Sequence, residues 1–127
     1  MNAKILIVED NDNNRYLASL LLRKAGHTVI EASDGEAAIE LVTKERPDAV
    51  LMDIMMPKMD GYEAARRIRA TPGLDQTVLI AVTSYAMPGD RQKAMQAGFG
   101  GYIEKPIETS TFVSQIDEFL AAARPSS

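Results

Sequence analysis

The sequence predicts an α/β fold, a (βα)5 doubly wound sheet of five parallel strands. Three observations carry this. Short apolar runs rich in Val and Ile recur at residues 5–8, 29–30, 49–52, 78–82 and 102–103, as expected of strands buried on both faces of a parallel sheet. Longer stretches with helical spacing of apolar residues separate them, so strands and helices alternate. The chain has 127 residues, 46% of them hydrophobic and 25% charged, enough for one packed domain.

Each helix has its own signal. Tyr16, Leu17, Leu20, Leu21 and Ala25 form an apolar stripe that Gly26 ends. Ala37, Ala38, Leu41 and Val42 form a second, after Asp34-Gly35 and before Pro47. A third rests on Ala64, Ala65 and Ile68 and stops before Pro72-Gly73. The fourth starts around Pro88, suited to a first helical turn, and ends at Gly98. Its core candidates are only Ala94, Met95 and Ala97, so it is expected to be the most mobile. The fifth takes Thr109 or Ser110 as N-cap and turns Phe112, Val113, Ile116, Phe119 and Leu120 to one side. Residues 1–123 are expected to form the domain and 124–127 a short tail, with no second domain.

Composition removes several classes of chemistry. Without Cys there is no disulfide, thiolate zinc site or Cys nucleophile, and His27 alone excludes a multi-histidine metal site. A net charge of −4, from 18 acids and 14 bases, argues against wrapping nucleic acid. The apolar run at 5–8 is too short for a signal peptide or a membrane span. The expectation is a cytoplasmic protein with neither nucleic acid nor membrane as partner.

The residues just past each apolar run carry the chemistry. Glu9-Asp10 come after the first, Asp53 after the third, Thr83-Ser84 after the fourth and Lys105-Pro106 after the fifth. In an open parallel sheet all these places lie at the carboxyl edge, where ligands bind beside the topological switch point. Two carboxylates about 4 Å apart repel by roughly 4 kcal/mol at an effective dielectric near 20. Three together call for a cation besides Lys105. Oxygen ligands without His or Cys select Mg²⁺, Mn²⁺ or Ca²⁺. A carboxylate can itself be a nucleophile and form an aspartyl phosphate, with metal and ammonium neutralising the transferred group.

Four blocks carry a family resemblance: residues 5–11 (ILIVEDN), 51–61 (LMDIMMPKMDG), 81–84 (AVTS) and 102–106 (YIEKP). In order and spacing, over nearly the whole chain, they resemble the signature of the bacterial response-regulator receiver domain, the CheY-like superfamily of two-component phosphorelays. Among known types the chain is similar to stand-alone, single-domain regulators of the DivK kind. The resemblance implies a flavodoxin-like strand order 2-1-3-4-5 and a phosphoacceptor switch rather than an enzyme. It implies that Asp53 takes a phosphoryl group from a phosphohistidine on a histidine kinase or phosphotransfer protein. Asp10, Asp53 and the backbone carbonyl of Met55 would ligate Mg²⁺ (or Mn²⁺), with Glu9 acting through a metal-bound water. Lys105 would pair with Asp53 and then with the phosphoryl group, and Thr83 would turn its hydroxyl to a phosphoryl oxygen. Tyr102 would follow as the second switch residue, and Lys105-Pro106 would be a cis peptide. A monomer would bind its effector through the face made by the fourth helix, fifth strand and fifth helix, with Arg91, Lys93 and Gln96 as contacts. The phosphodonor would dock near Asn11, Asn14 and Arg15.

Other readings fit less well. A haloacid-dehalogenase-type phosphatase needs a second acid two residues after its nucleophile, where this chain has Met55. A flavodoxin-like carrier needs a Ser/Thr/Gly-rich phosphate loop, and Glu9-Asp10-Asn11-Asp12 would repel a phosphate. A receiver-like adaptor that is never phosphorylated would not need all of Glu9, Asp10, Asp53, Thr83 and Lys105. The remaining features are read as structural: Met52, Met55, Met56 and Met59 as core and loop packing, His27 as a surface residue, Asp60-Gly61 as a turn and helix start, Glu104 as a solvated neighbour.

Met55 and Tyr85, two residues after Asp53 and Thr83, should flank the path of a water attacking an aspartyl phosphate. Neither is a carboxylate or amide that could orient that water, so slow spontaneous hydrolysis is expected. Met55→Asn and Tyr85→Ala should each change the decay rate of phosphorylated protein, followed by loss of label. An unchanged rate in either would rule this out.

Overall fold

The computed structural model describes residues 2–56, 58–84 and 88–123. The apolar runs become strands β1 (Lys4–Val8), β2 (Thr28–Ala32), β3 (Ala49–Asp53), β4 (Val78–Thr83) and β5 (Gly101–Glu104). The helices between and after them are α1 (Asp12–Lys24), α2 (Gly35–Glu45), α3 (Gly61–Arg69), α4 (Asp90–Ala97) and α5 (Phe112–Ala123). All pairings are parallel, in the order β2-β1-β3-β4-β5. The chain leaves β1 for β2 on one side and returns to β3 on the other, so the switch point lies between β1 and β3.

Alternation along the strands divides the core in two. Leu6, Val8, Val50, Met52, Leu79 and Ala81 face one way and pack with Ala38 and Val42 of α2, Ala64 and Ile68 of α3, and Ala94 and Ala97 of α4. Ile5, Ile7, Leu51, Ile80 and Val82 face the other way and pack with Ala18 and Leu22 of α1 and Phe112, Ile116 and Leu120 of α5. The three central strands are buried along their whole length, apart from the first residue of β1. This is why their sequences read as unbroken apolar runs.

Helix starts follow the expected capping chemistry where the side chains allow it. Asn11, Asp34 and Asp60 accept from the N–H groups of Asn14, Ala37 and Glu63. The α4 N-cap is Gly89, which has no side chain to offer.

Several expectations are corrected. The buried face of α1 is Ala18, Ser19 and Leu22, while Tyr16 and Leu20 point to solvent. The helix carries apolar residues around more than one face, and the small Ala18 side chain suits close contact with the sheet. Met95 of α4 is likewise exposed, leaving Ala94 and Ala97 as that helix's buried residues. Regular α5 begins at Phe112, after a turn in which Thr111 and Phe112 N–H groups donate to the Glu108 carbonyl; the residue before it is Thr111, not Thr109 or Ser110. His27 is 5% exposed, not a surface residue. The Ala3 N–H donates to its Nδ1 at 3.0 Å, so the ring proton sits on Nε2, 3.0 Å from Asp117 Oδ1. This imidazole ties the start of β1 to α5.

Gly61 does more than open α3. A Cβ there would lie 2.7 Å from Ile54 Cα and 2.8 Å from the Asp53 carbonyl oxygen, and backbone atoms have no rotamer by which to yield. Gly61→Ala should cost roughly 1–3 kcal/mol of stability through overpacking, measured by urea unfolding. A loss below half of that would show that α3 can shift freely off the end of β3.

Candidate functional site

Register brings the acids together. Val8 pairs with Met52 across β1 and β3, so Glu9, one residue on, stands beside Asp53, the last residue of β3. Carboxylate oxygens of Glu9, Asp10 and Asp53 all lie within 4.8 Å of one another. Glu9 is 5% and Asp53 7% exposed, whereas Asp10 faces solvent. Lys105 comes directly after β5 and reaches across β4. Its Nζ lies 2.5 Å from Glu9 Oε1 and 3.3 Å from Asp53 Oδ2. The other Asp53 oxygen, Oδ1, accepts the Met55 N–H at 3.1 Å. Asp53 thus has both oxygens engaged.

The electrostatics are unbalanced. Burial pushes the Glu9 carboxyl above its ordinary value; the neighbouring Asp53 adds to this and Lys105 opposes it. Burial draws Lys105 down, but its hydrogen bond to Glu9 and the charges of Asp53 and Glu9 outweigh it, so its net shift is upward. One ammonium therefore faces three carboxylates. Glu9 Oε2 is buried without a hydrogen-bond partner, which is costly for a polar atom. An all-oxygen cluster with excess negative charge and an unused buried oxygen fits a hard divalent cation.

The other anticipated residues take distinct places. Thr83 ends β4 and is buried, and its carbonyl accepts the Lys105 N–H at 2.7 Å. Tyr102 of β5 is half-buried and packs on the α4 side of the sheet. Its hydroxyl is buried without a hydrogen-bond partner, and the Arg91 guanidinium sits 5.0 Å from the ring centroid. Burial, then Asp90 and Glu104, raise its phenol pKa, against Arg91. The Lys105–Pro106 peptide is cis. Met55 is 57% exposed, while Met52 and Met56 are buried and Met59 packs on the core. Glu104 is exposed. Tyr85 lies outside the described residues.

The profile of the response regulator receiver domain family matches residues 5–117. The chain belongs to that family. The polar-differentiation response regulator DivK of Brucella anthropi is 36% identical over 97% of this chain and its own whole length. A chemotaxis response regulator of Vibrio cholerae superposes with TM-score 0.88 at 28% identity, covering 94% of this chain and 99% of that one. The receiver domain of a Pseudomonas aeruginosa sensor histidine kinase, with magnesium coordinated in its active-site cleft, superposes with TM-score 0.86 at 35% identity over 95% and 99%. Receiver domains are signalling switches phosphorylated on an Asp with Mg²⁺ bound in an acidic pocket, and they engage histidine kinases and downstream effectors.

Sequence reasoning missed one contact. Arg15, read as a docking residue, directs its guanidinium at the Glu9 carbonyl, 2.8 Å away. No periodicity marks it, because the contact joins a helix to the residue beyond a strand.

Replacing Lys105 by Met should leave the carboxylates uncompensated and cost on the order of 3 kcal/mol, as breaking a buried pair does. Added Mg²⁺ should then raise the unfolding midpoint of the variant more than that of the wild type. Equal gains would mean that Lys105 does not share the carboxylates' charge with a cation.

Proposed function

We propose that Asp53 is the phosphoacceptor of this receiver and that Glu9, Asp10, Asp53 and the Met55 carbonyl form its Mg²⁺ site, Glu9 through water. The observation that supports this most is the three-carboxylate cluster met by a single ammonium, with one buried carboxylate oxygen left unpartnered. Mn²⁺ suits the same oxygen donors. When bound, the cation neutralises negative charge on the phosphoryl oxygens.

The chain's own groups supply the rest. The Met55 N–H and Lys105 fix the plane of the Asp53 carboxylate from its two sides, which prepares one oxygen for in-line attack. That oxygen bonds to phosphorus as the bond to the donor histidine nitrogen breaks, and the imidazole leaves. Lys105 then turns from the carboxylate to the new phosphoryl oxygens, and Thr83 donates its hydroxyl to another. The added group carries about −1.5 to −2 charge. Movement of Thr83 towards it releases space beside Tyr102, on the same side of the sheet, and Tyr102 changes its exposure. The α4-β5-α5 face is thereby altered for a downstream protein, with Arg91, Lys93 and Gln96 as contacts. The donor, a histidine kinase or phosphotransfer protein, docks at the start of α1 near Asn11, Asn14 and Arg15. The response is that of a cytoplasmic monomer; no helix among the described residues is long and apolar enough to cross a membrane.

Incubation with acetyl phosphate and Mg²⁺ should add one phosphoryl mass to the intact protein, and Asp53→Asn should abolish it. Equal addition to that variant would overturn the assignment.

A further inference from the structure

Glu9 stands one residue beyond β1, yet neither of its main-chain groups is loose. Its N–H donates to the Ala32 carbonyl at the end of β2, 3.1 Å away. Its carbonyl accepts from Arg15 Nη1 at 2.8 Å. The same guanidinium places Nη2 2.6 Å from Asp12 Oδ1 and Nε 3.4 Å from Glu31 Oε1. The Arg15 side chain is only 21% exposed, so its fork is turned largely into the protein.

We propose that Arg15 is a positioning residue for the cation site: by gripping the Glu9 carbonyl it sets how Glu9 and Asp10 leave the sheet. The inference rests on the acidic cluster being that site. The Glu9 carbonyl belongs to the planar peptide that also carries the Asp10 N–H. A change in ψ of Glu9 swings this carbonyl and carries Asp10 with it, and so moves the Asp10 carboxylate relative to those of Glu9 and Asp53. A charge-assisted bond to the carbonyl resists that rotation. The planar fork is what allows one side chain to hold a carbonyl and two carboxylates in fixed directions, which a lysine ammonium cannot do.

Charge and position predict opposite outcomes. Arg15 carries a positive charge near a cation site. If charge were its only effect, removing it would tighten cation binding. If it positions the acids, removal weakens binding despite the lost repulsion. Arg23 is the internal control: it lies on the same helix and pairs with Glu31 at 3.5 Å, but it does not touch Glu9.

The test is calorimetric titration of Mg²⁺ into the full chain, with folding monitored by circular dichroism. Arg15→Met should weaken Mg²⁺ binding roughly tenfold, the scale typical of residues that orient ligands. Arg15→Lys, a gentler change that keeps the charge, should fall between Arg15→Met and wild type. Arg23→Met should bind as wild type does or more tightly. In phosphorylation by acetyl phosphate, the Mg²⁺ concentration for half-maximal rate should rise in Arg15→Met far more than the saturated rate falls. Unchanged or tighter Mg²⁺ binding in Arg15→Met would overturn the positioning role while leaving the cation site standing. Absence of Mg²⁺ binding in the wild type would overturn the site itself.

Discussion

The Lys105 ammonium, lying between Glu9 and Asp53, is the interaction on which the rest of the site depends. The sheet's apolar strands place Glu9 and Asp53 side by side at the switch point, where neither can retreat into water. Two carboxylates at about 4 Å repel by roughly 4 kcal/mol at an effective dielectric near 20, and Asp10 adds further repulsion. One ammonium bonded to two of them offsets much of this and leaves a remainder. That remainder is the charge a divalent cation would neutralise. Lys105 also links distant parts of the chain, since it comes just after the edge strand β5 while its partners stand at the ends of β1 and β3. The charge arrangement and the packing of the sheet are thus one constraint.

Alternation along the strands separates chemistry from response. The cleft at the carboxyl edge that takes in Glu9, Asp53 and Lys105 is also lined by Ile7, Leu51 and Val82, residues of the core shared with α1 and α5. Tyr102 packs on the other face, with the residues of α3 and α4. Thr83 stands two residues after Ala81, which also faces that way, and Ala81 pairs with Tyr102 across β4 and β5. Thr83 and Tyr102 thus share the α4 side of the sheet, away from the α1 and α5 packing. A parallel sheet with both faces covered is suited to this, because adjacent residues of one strand address different surfaces.

Fold and site are legible in the sequence to different depths. Strand positions can be read because β1, β3 and β4 are buried on both faces, so nothing polar interrupts them before their ends. For the same reason the residues ending them stand out: Asp53 and Glu9 are the first acids after long apolar runs. Helix faces are less legible. Tyr16 and Leu20 are apolar by composition but lie outside the buried face of α1, and periodicity alone does not choose between adjacent stripes. His27 misleads because its partners, the Ala3 N–H and Asp117, are 24 and 90 residues away. Arg15 misleads likewise, since a charged residue near a helix start is ordinarily solvated and only the fold shows which carbonyl it meets. The sequence hides whatever tertiary contact alone creates.

The helix that flanks Tyr102 is also the one least secured by its own sequence. Helix α4 buries only Ala94 and Ala97, begins at a glycine N-cap without a side-chain bond, and has no basic residue in its last turn. Elements with so few buried apolar contacts belong to the low-stability end of a structure. Its C-terminal end is compensated from elsewhere. Arg69 of α3 donates from Nε and Nη2 to the Gly98 carbonyl at 3.1 and 3.0 Å, and from Nη1 to the Leu74 carbonyl. A cation at that end also opposes the helix dipole. The strong fastening is thus at the end of α4 far from Gly89, while the N-terminal half carries Asp90 and the Arg91 that covers Tyr102. A helix held firmly at one end and weakly along its length responds to small free-energy differences at the other. On the reading proposed for Asp53, Thr83 and Tyr102, an added phosphoryl group would supply a difference of that kind.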